Sequence, residues 1–199
     1  HWVKKAFFLQ MMTYEELAGF DCQFAGARLT LLRDGATLLD ANLEEDSGIE
    51  AVNSWFARQF EGRLGGVPRL ARVADGAFTD TKAPWISLGG TASVARFGEA
   101  TGTRPDARRF RLNIMMETST PFEEAALVGS RLRLGAAEMK VVAPVGRCAA
   151  IDVDPATAIR GPHYLPLMER EFSHTDLGIF AEVTRSGLVR PGDRLTRLD

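Results

Sequence analysis

A cysteine placed directly after an arginine is the residue pair in this sequence that is best suited to chemistry. The segment Gly146-Arg147-Cys148-Ala149 leads into an apolar-alternating stretch. A neighbouring guanidinium favours the thiolate form, which nucleophilic sulfur chemistry and soft-metal ligation both require. A lone cysteine is more often a small buried hydrophobic residue, so the spacing alone leaves both interpretations open. Cys148 is therefore a candidate catalytic residue and a candidate metal ligand.

A second polar pattern lies in the segment 108–114. If residues 109–116 form a strand, alternation places Arg109, Arg111 and Asn113 on one face. The apolar residues between them then face the core. Guanidinium forks suit phosphate or other oxyanions, and an amide can donate and accept at the edge of a heterocycle. The alternative is an amphipathic strand with a solvated polar face.

The segment Gly89-Gly90-Thr91-Ala92-Ser93 is a third candidate, because backbone amides at the start of a helix can bind an anion. Thr91 and Ser93 are the side chains that would assist. The alternative is an ordinary helix start capped by one of these hydroxyls. The three histidines, by contrast, do not show a metal-ligand spacing.

Charge and hydropathy exclude several classes of partner. The 199 residues carry a formal net charge of −2, with basic and acidic residues interspersed, so we expect no nucleic-acid partner. No apolar run approaches the roughly 18 residues that cross a bilayer, and no leader is evident, so we expect no membrane partner. Two cysteines far apart suit a reducing cytoplasm. The sequence begins at His1 close to a hydrophobic stretch, which suggests native sequence upstream.

The elements that must position these residues fall into two groups. In the first, an Asp34-Gly35 hairpin joins two strands. A capping box at Ser47-Gly48-Ile49-Glu50 is typical of a helix start. Glycines and a proline at 62–68 predict a boundary near 75–84, dividing the chain into domains 1–78 and 79–199. The predicted elements of this group are strands at 22–24, 28–32 and 36–39 and a helix at 48–61.

The second group consists mainly of short strands separated by Gly, Pro, Asp or Ser. Strands at about ten-residue spacing with few helices favour a closed or nearly closed barrel. The fold class is therefore mostly β with a few helices (α+β). The predicted elements are a helix at 92–100 that ends at Gly102, and strands at 85–88, 109–116, 131–134, 138–142, 148–153, 178–184 and 194–198.

These segments, in this order, resemble the signature of the MOSC family, the domain named for the C-terminal part of molybdenum cofactor sulfurase. The resemblance covers 85–198 and implies a MOSC-type β-barrel. Residues 7–43 are similar, less sharply, to the smaller β-rich N-terminal subdomain of the amidoxime-reducing branch, here incomplete. The Lys-Ser pair and the upstream arginine with which that branch grips the pterin phosphate are not found. The anchors are 86–88, 92–94, 109–114, 121–124, Gly129, Arg147-Cys148, 153–155, 174–178 and 187–193.

The resemblance implies that Cys148 ligates molybdenum and that Arg111 and Asn113 hold the pterin of the molybdenum cofactor (molybdopterin). Arg109 and Arg147 are added from position alone. The implied activity is an oxidoreductase that reduces N-hydroxylated small molecules and takes electrons from a redox partner protein or domain. The alternative is a sulfurtransferase that carries a persulfide on Cys148, and a third possibility is a cofactor-free interaction module. We predict that Arg111 and Asn113 point into the same pocket as Cys148.

Overall fold

Two β-sheets organise this chain. The computed structural model describes residues 7–72, 79, 81 and 83–198. It confirms an α+β fold with a three-stranded sheet and a curled six-stranded half-barrel. The predicted boundary near 75–84 lies largely outside the described residues, so the division into two domains stays a prediction. Among the described residues, no helix is long and apolar enough to span a bilayer.

The N-terminal sheet is an antiparallel meander in the order β1-β2-β3. Asp34 and Gly35 form the predicted tight turn, with φ values of 51° and 78°. Helix α1 packs on the sheet through Val52. The predicted capping box is wrong, because the helix begins earlier, after Glu45, and no side chain caps it. The elements are β1 (Asp21–Ala25), β2 (Arg28–Arg33), β3 (Ala36–Asn42) and α1 (Asp46–Gln59).

The second sheet has the order β5-β4-β8-β7-β6-β9. Its strands pair antiparallel except for β4 and β5, which run parallel. Leu88, Val141 and Ile179 are fully buried in its core. The strands are β4 (Ile86–Gly90), β5 (Ile114–Met116), β6 (Arg131–Leu134), β7 (Ala137–Gly146), β8 (Asp176–Arg185) and β9 (Leu195–Arg197).

Two helices in the second half enclose another apolar cluster, in which Phe97, Phe110 and Met168 are buried. Helix α2 (Thr91–Thr101) ends at Gly102 in the left-handed conformation, as the sequence predicts. Helix α3 (Leu165–Phe172) was not predicted, although its apolar residues have helical spacing.

Two predicted strands are wrong at the places where function was expected. Of the predicted strand 109–116 only the end, β5, is a strand. Before it, a 3-10 turn at Ala107–Phe110 begins where the Asp106 side chain accepts a hydrogen bond from the amide of Arg108. Arg111 ends this turn with φ of 51°, so the alternation of side chains is lost. Instead of a strand over 148–153, a second 3-10 turn forms at Ala149–Asp152. The polar segments are therefore turns at one end of the sheet.

Candidate functional site

Cys148 lies where strand β7 ends and the second 3-10 turn begins. Its carbonyl accepts a hydrogen bond of 3.1 Å from the amide of Ile151. Its side chain is half-buried and its thiol is free. Gly146 pairs with Asp176 at the start of β8, so the cysteine lies at the edge where these two strands separate.

Arg147 joins the two turns. Its Nη1 donates to the carbonyl of Phe110 at 3.1 Å and to the carbonyl of Leu177 at 3.4 Å. Since Arg111 follows Phe110 and Cys148 follows Arg147, this bond brings the backbone of the two candidate residues into one region. The Arg147 guanidinium is engaged with carbonyl groups, which gives it a positioning role in the chain itself.

Arg109 holds the turn that follows Cys148. It is 4% exposed, and its Nη1 donates to the carbonyls of Ile151 at 2.9 Å and Val153 at 3.1 Å. Its Nη2 binds the carboxylate of Asp154 at 2.7 Å. A buried guanidinium with three internal acceptors stabilises a fixed backbone. Arg109 therefore connects the two turns from the opposite direction to Arg147.

Asp154 is the charged partner in this arrangement. Burial alone would raise its pKa, but hydrogen bonds from the amides of Ala156 and Thr157 and the charge of Arg109 outweigh burial. The pKa of Asp154 therefore lies below its ordinary value, and the residue is a carboxylate near neutral pH.

Arg111 is the cation of this region that the protein leaves available. It is exposed, and no hydrogen bond or ion pair joins its side chain to the described part of the chain. It lines a cavity of about 390 Å³ between the N-terminal sheet and the two turns. Arg108 also lines this cavity but is paired with Asp106 at 2.7 Å. Two carboxylates, Asp21 and Asp34, also line it.

Asn113 lies elsewhere. Its Oδ1 accepts hydrogen bonds from the Ser87 amide at 2.9 Å and the Ser87 hydroxyl at 3.0 Å, which ties β5 to β4. It lines a second cavity, of about 1100 Å³, between β5 and the segment 189–195. Arg111 and Asn113 thus line different cavities, and Cys148 lines neither. The strand alternation on which the prediction of one shared pocket rested is lost, because a 3-10 turn forms at Ala107–Phe110. A pocket common to all three residues stays a prediction.

The start of helix α2 is filled by the protein's own groups. Glu124, 2% exposed, accepts from the Gly90 amide at 3.2 Å and from the Ser93 hydroxyl at 2.8 Å. Ser93 is fully buried and its hydroxyl also accepts from the amide of Phe122 at 2.7 Å. A carboxylate at a helix N-terminus does what a bound anion would do. Ser93 is therefore a structural residue here.

Thr91 takes part in a similar exchange with Thr118. The hydroxyl of Thr91 accepts from the amide of Thr118 at 3.1 Å, and the hydroxyl of Thr118 accepts from the amide of Ala92 at 3.0 Å. Because these amides already have acceptors, few donors in the first turn of α2 remain to bind an external phosphate. A cofactor-binding role for Thr91 stays an untested prediction.

The sequence assigned no site role to two further polar residues near the turns, although one of them, His174, begins the anchor segment 174–178. Asp152 is 1% exposed, and its carboxylate accepts from the amide of Tyr164 at 3.0 Å and lies 2.9 Å from Nδ1 of His163. In His174, Nδ1 accepts from the amide of Asp176 at 3.2 Å. No local motif signals these pairs. Their partners are set by the packing of the 153–164 loop and by the β7–β8 register.

Arg160 connects this region with the N-terminal part of the chain. Its Nη1 donates to the carbonyl of Ala149 at 3.3 Å, inside the turn after Cys148. Its Nη2 donates to the carbonyls of Met11 and Met12, each at 3.0 Å, and lies 3.3 Å from the carboxylate of Glu15. One guanidinium therefore fixes the N-terminal segment against the cysteine turn.

The donor set at Cys148 offers a single soft ligand. Among the described residues, no group of three or more His, Cys, Asp or Glu side chains could hold a metal ion. A metal bound through Cys148 would therefore take its other ligands from a cofactor or a substrate.

Comparison with known proteins adds one strong match. The family model described as the MOSC domain matches residues 79–196, which is more than half of the chain. The solved structure of YiiM from Geobacillus stearothermophilus is similar over 57% of this chain and 54% of its own, with 21% identity and a TM-score of 0.45. The chain thus spans about half the length of that protein. No curated protein matches.

Proposed function

We propose that this chain, which belongs to the MOSC domain family, binds the molybdenum cofactor through the thiolate of Cys148 and reduces N-hydroxylated small molecules. MOSC domains are associated with the molybdenum cofactor. The amidoxime-reducing branch, the specific reaction and the cytoplasmic location are parts of this proposal. They come from the sequence resemblance.

The observation that carries the proposal is the hydrogen bond from Arg147 to the carbonyl of Phe110. It joins the turn that ends in Arg111 to the turn that begins at Cys148. A half-buried free thiol and an exposed guanidinium with no partner in the described chain therefore lie in one region. The adjacent cavity of about 390 Å³ falls within the range of small-ligand sites.

The residues present fit the cofactor in their chemistry. The thiolate of Cys148 is a soft ligand for a heavy metal. Arg111 offers a planar fork for a phosphate, while Asp21 and Asp34, which also line the cavity, favour a polar or cationic part of the ligand. Asn113 belongs to a different cavity and is not included in this set.

The bound cofactor would supply two-electron and oxygen-transfer chemistry, and the chain supplies binding and orientation. Cys148 would hold the metal, Arg111 the phosphate, and Arg109 and Arg147 the backbone between them. In the reaction, an N–O bond breaks, two electrons and two protons are taken up, and the oxygen leaves as water. The electrons would come from a redox partner protein or domain.

Elemental analysis tests the proposal directly. Protein purified from a host that makes the cofactor should contain close to one molybdenum per chain and should reduce an amidoxime with a chemical electron donor. Cys22→Ser should behave as the unmodified protein, since Cys22 is exposed on β1. Absence of molybdenum from the unmodified, folded protein would contradict the proposal.

A second function is favoured by one observation: Cys148 lines neither of the cavities that contain Arg111 and Asn113. A half-exposed thiol that lines neither of these two cavities could receive a sulfur atom from a donor persulfide by exchange, with the donor thiol as leaving group. Cyanide would remove that sulfur as thiocyanate and restore the thiol. Cyanide-labile sulfur without molybdenum, lost in Cys148→Ser, would support a sulfurtransferase.

A further inference from the structure

The pairing of β7 with β8 extends past the ends of both strands. Gly146 pairs with Asp176, and the amide of Arg147 donates to the carbonyl of Thr175 at 2.9 Å. Cys148 continues in extended conformation, with φ of −125° and ψ of 173°. The next residue on the other segment is His174. In an antiparallel pair, residues directly opposite each other project on the same side.

The imidazole of His174 is held in a defined orientation. Its Nδ1 accepts the hydrogen bond from the amide of Asp176, and its ring meets the ring of Phe122 edge-on at 4.8 Å between centroids. Phe122 is in turn held in place because its backbone amide donates a hydrogen bond to the buried hydroxyl of Ser93. With Nδ1 as acceptor, neutral histidine carries its proton on Nε2. That nitrogen is therefore a donor.

Within the described part of the chain, neither the Nε2 of His174 nor the sulfur of Cys148 has a hydrogen-bond partner. If the register of Gly146 with Asp176 is continued by two residues, Cys148 faces His174, which brings a donor and a nucleophile together. Both are thus left to interact with a third group.

We propose that His174 is a second residue of the Cys148 site, whose Nε2–H donates a hydrogen bond to an electron-rich atom of a group bound or reacting beside the sulfur. In the proposed reductase, on which this inference rests, the acceptor is the oxygen of the N-hydroxylated substrate. Ser93 and Phe122 act as positioning residues for His174.

Thiol alkylation tests this without the cofactor. In a Cys22→Ser background, iodoacetamide reacts with Cys148 alone, and its carbonyl oxygen can accept from His174. His174→Phe and His174→Leu, which lack the donor, should react about fivefold more slowly, whereas His174→Gln, which keeps an N–H, should recover most of the rate. Melting temperatures of all variants identify any that fail to fold.

Rates that agree within about twofold among the folded proteins would overturn the role of His174. In cofactor-loaded protein, His174→Phe should raise KM for an amidoxime while leaving the molybdenum content unchanged. An unmodified protein that lacks molybdenum would end the proposed reductase, yet the alkylation rates would still decide whether His174 assists Cys148. The two failures are therefore distinguishable.

Discussion

Two polar regions of the molecule, the start of α2 and the end of β7, differ in how many of their polar groups have a hydrogen-bond partner within the protein. At the start of α2, Glu124 and Thr118 engage the backbone amides and Ser93 is fully buried. At the end of β7, Arg109 and Arg147 satisfy the backbone carbonyls, but Arg111 has no described partner and Cys148 keeps a free thiol. The sequence made both look like binding sites. Because the polar groups of the first region bond to one another, we interpret that region as structural. The second region keeps a guanidinium and a thiol without a described partner, and we interpret it as the functional candidate.

The largest expected effect is on activity at the second region. Cys148→Ser should abolish molybdenum binding and turnover, because a hydroxyl is neither soft nor readily ionised. The melting temperature should stay near that of the unmodified protein, since Cys148 is only half-buried and the change in volume is small. Measuring metal content, amidoxime reduction and melting on one sample, with Cys22→Ser as control, checks this. Full metal loading and normal turnover in Cys148→Ser would show that the end of β7 is not the functional site.

The next effect is on stability at the first region. Glu124→Ala should lower the free energy of unfolding by about 3 kcal/mol, because it leaves the Gly90 amide and the Ser93 hydroxyl buried without an acceptor. Urea denaturation measures this. Glu99→Ala, on the exposed face of α2, should change the value by less than about 0.5 kcal/mol. Equal effects of the two substitutions would contradict the structural role of Glu124.

Arg109 tests whether the second region also has a structural part. Arg109→Met should cost about 2 kcal/mol, because the carbonyls of Ile151 and Val153 lose their donor while the apolar part of the side chain is preserved. We expect molybdenum content to fall as well, since the turn after Cys148 loosens. Denaturation and metal analysis on the same sample measure both. A stable variant with full metal content would show that the hydrogen bonds from Arg109 to this turn are dispensable.

Arg111 should show the opposite pattern. Arg111→Gln should leave stability within about 0.5 kcal/mol, because the side chain is exposed and has no described partner. Cofactor affinity should fall by about tenfold through the loss of one charge-assisted contact. Arg108→Gln is the matched control, since Arg108 lines the same cavity but is paired with Asp106. A greater loss of affinity in the control would move the anion site to Arg108.

The smallest effect concerns pH. Because the folded-state pKa of Asp154 lies below its ordinary value, its contribution to stability is complete above about pH 5 and is lost as the pH falls through the lowered pKa. The side chain is 40% exposed, so solvent screening limits the contribution to less than about 1 kcal/mol. The difference in unfolding free energy between the unmodified protein and Asp154→Asn should therefore shrink between pH 6 and pH 3. A difference that grows on acidification would contradict the lowered pKa.

Sequence patterns predicted the regular elements well and the turns poorly. Strands such as β6 alternate strictly between exposed arginine and buried leucine, and Gly102 ends α2 where expected. The two 3-10 turns were missed because a local cap from Asp106 and remote bonds from Arg109 override strand propensity. Cys148 and Arg111 were identified by residue type, and each keeps a functional group without a described partner.

Glu124 and His174 lie in the anchor segments 121–124 and 174–178, but spacing does not reveal their contacts. Glu124 and its partner Ser93 are 31 positions apart, so only the folded chain shows that the carboxylate is buried. The proximity of His174 to Cys148 that we infer depends on the register of β7 with β8, which no short motif encodes.

Arg160 has a consequence for how the protein opens. Its guanidinium holds the carbonyl of Ala149 together with those of Met11 and Met12, so a fluctuation that displaces Arg160 releases both the cysteine turn and the N-terminal segment. The amides of Ile151 and Tyr14, each hydrogen-bonded within one of these segments, should then exchange with solvent deuterium through a common opening event. The rate at which reagents reach the Cys148 sulfur would then be set by the joint opening of the cysteine turn and the segment that begins near residue 10.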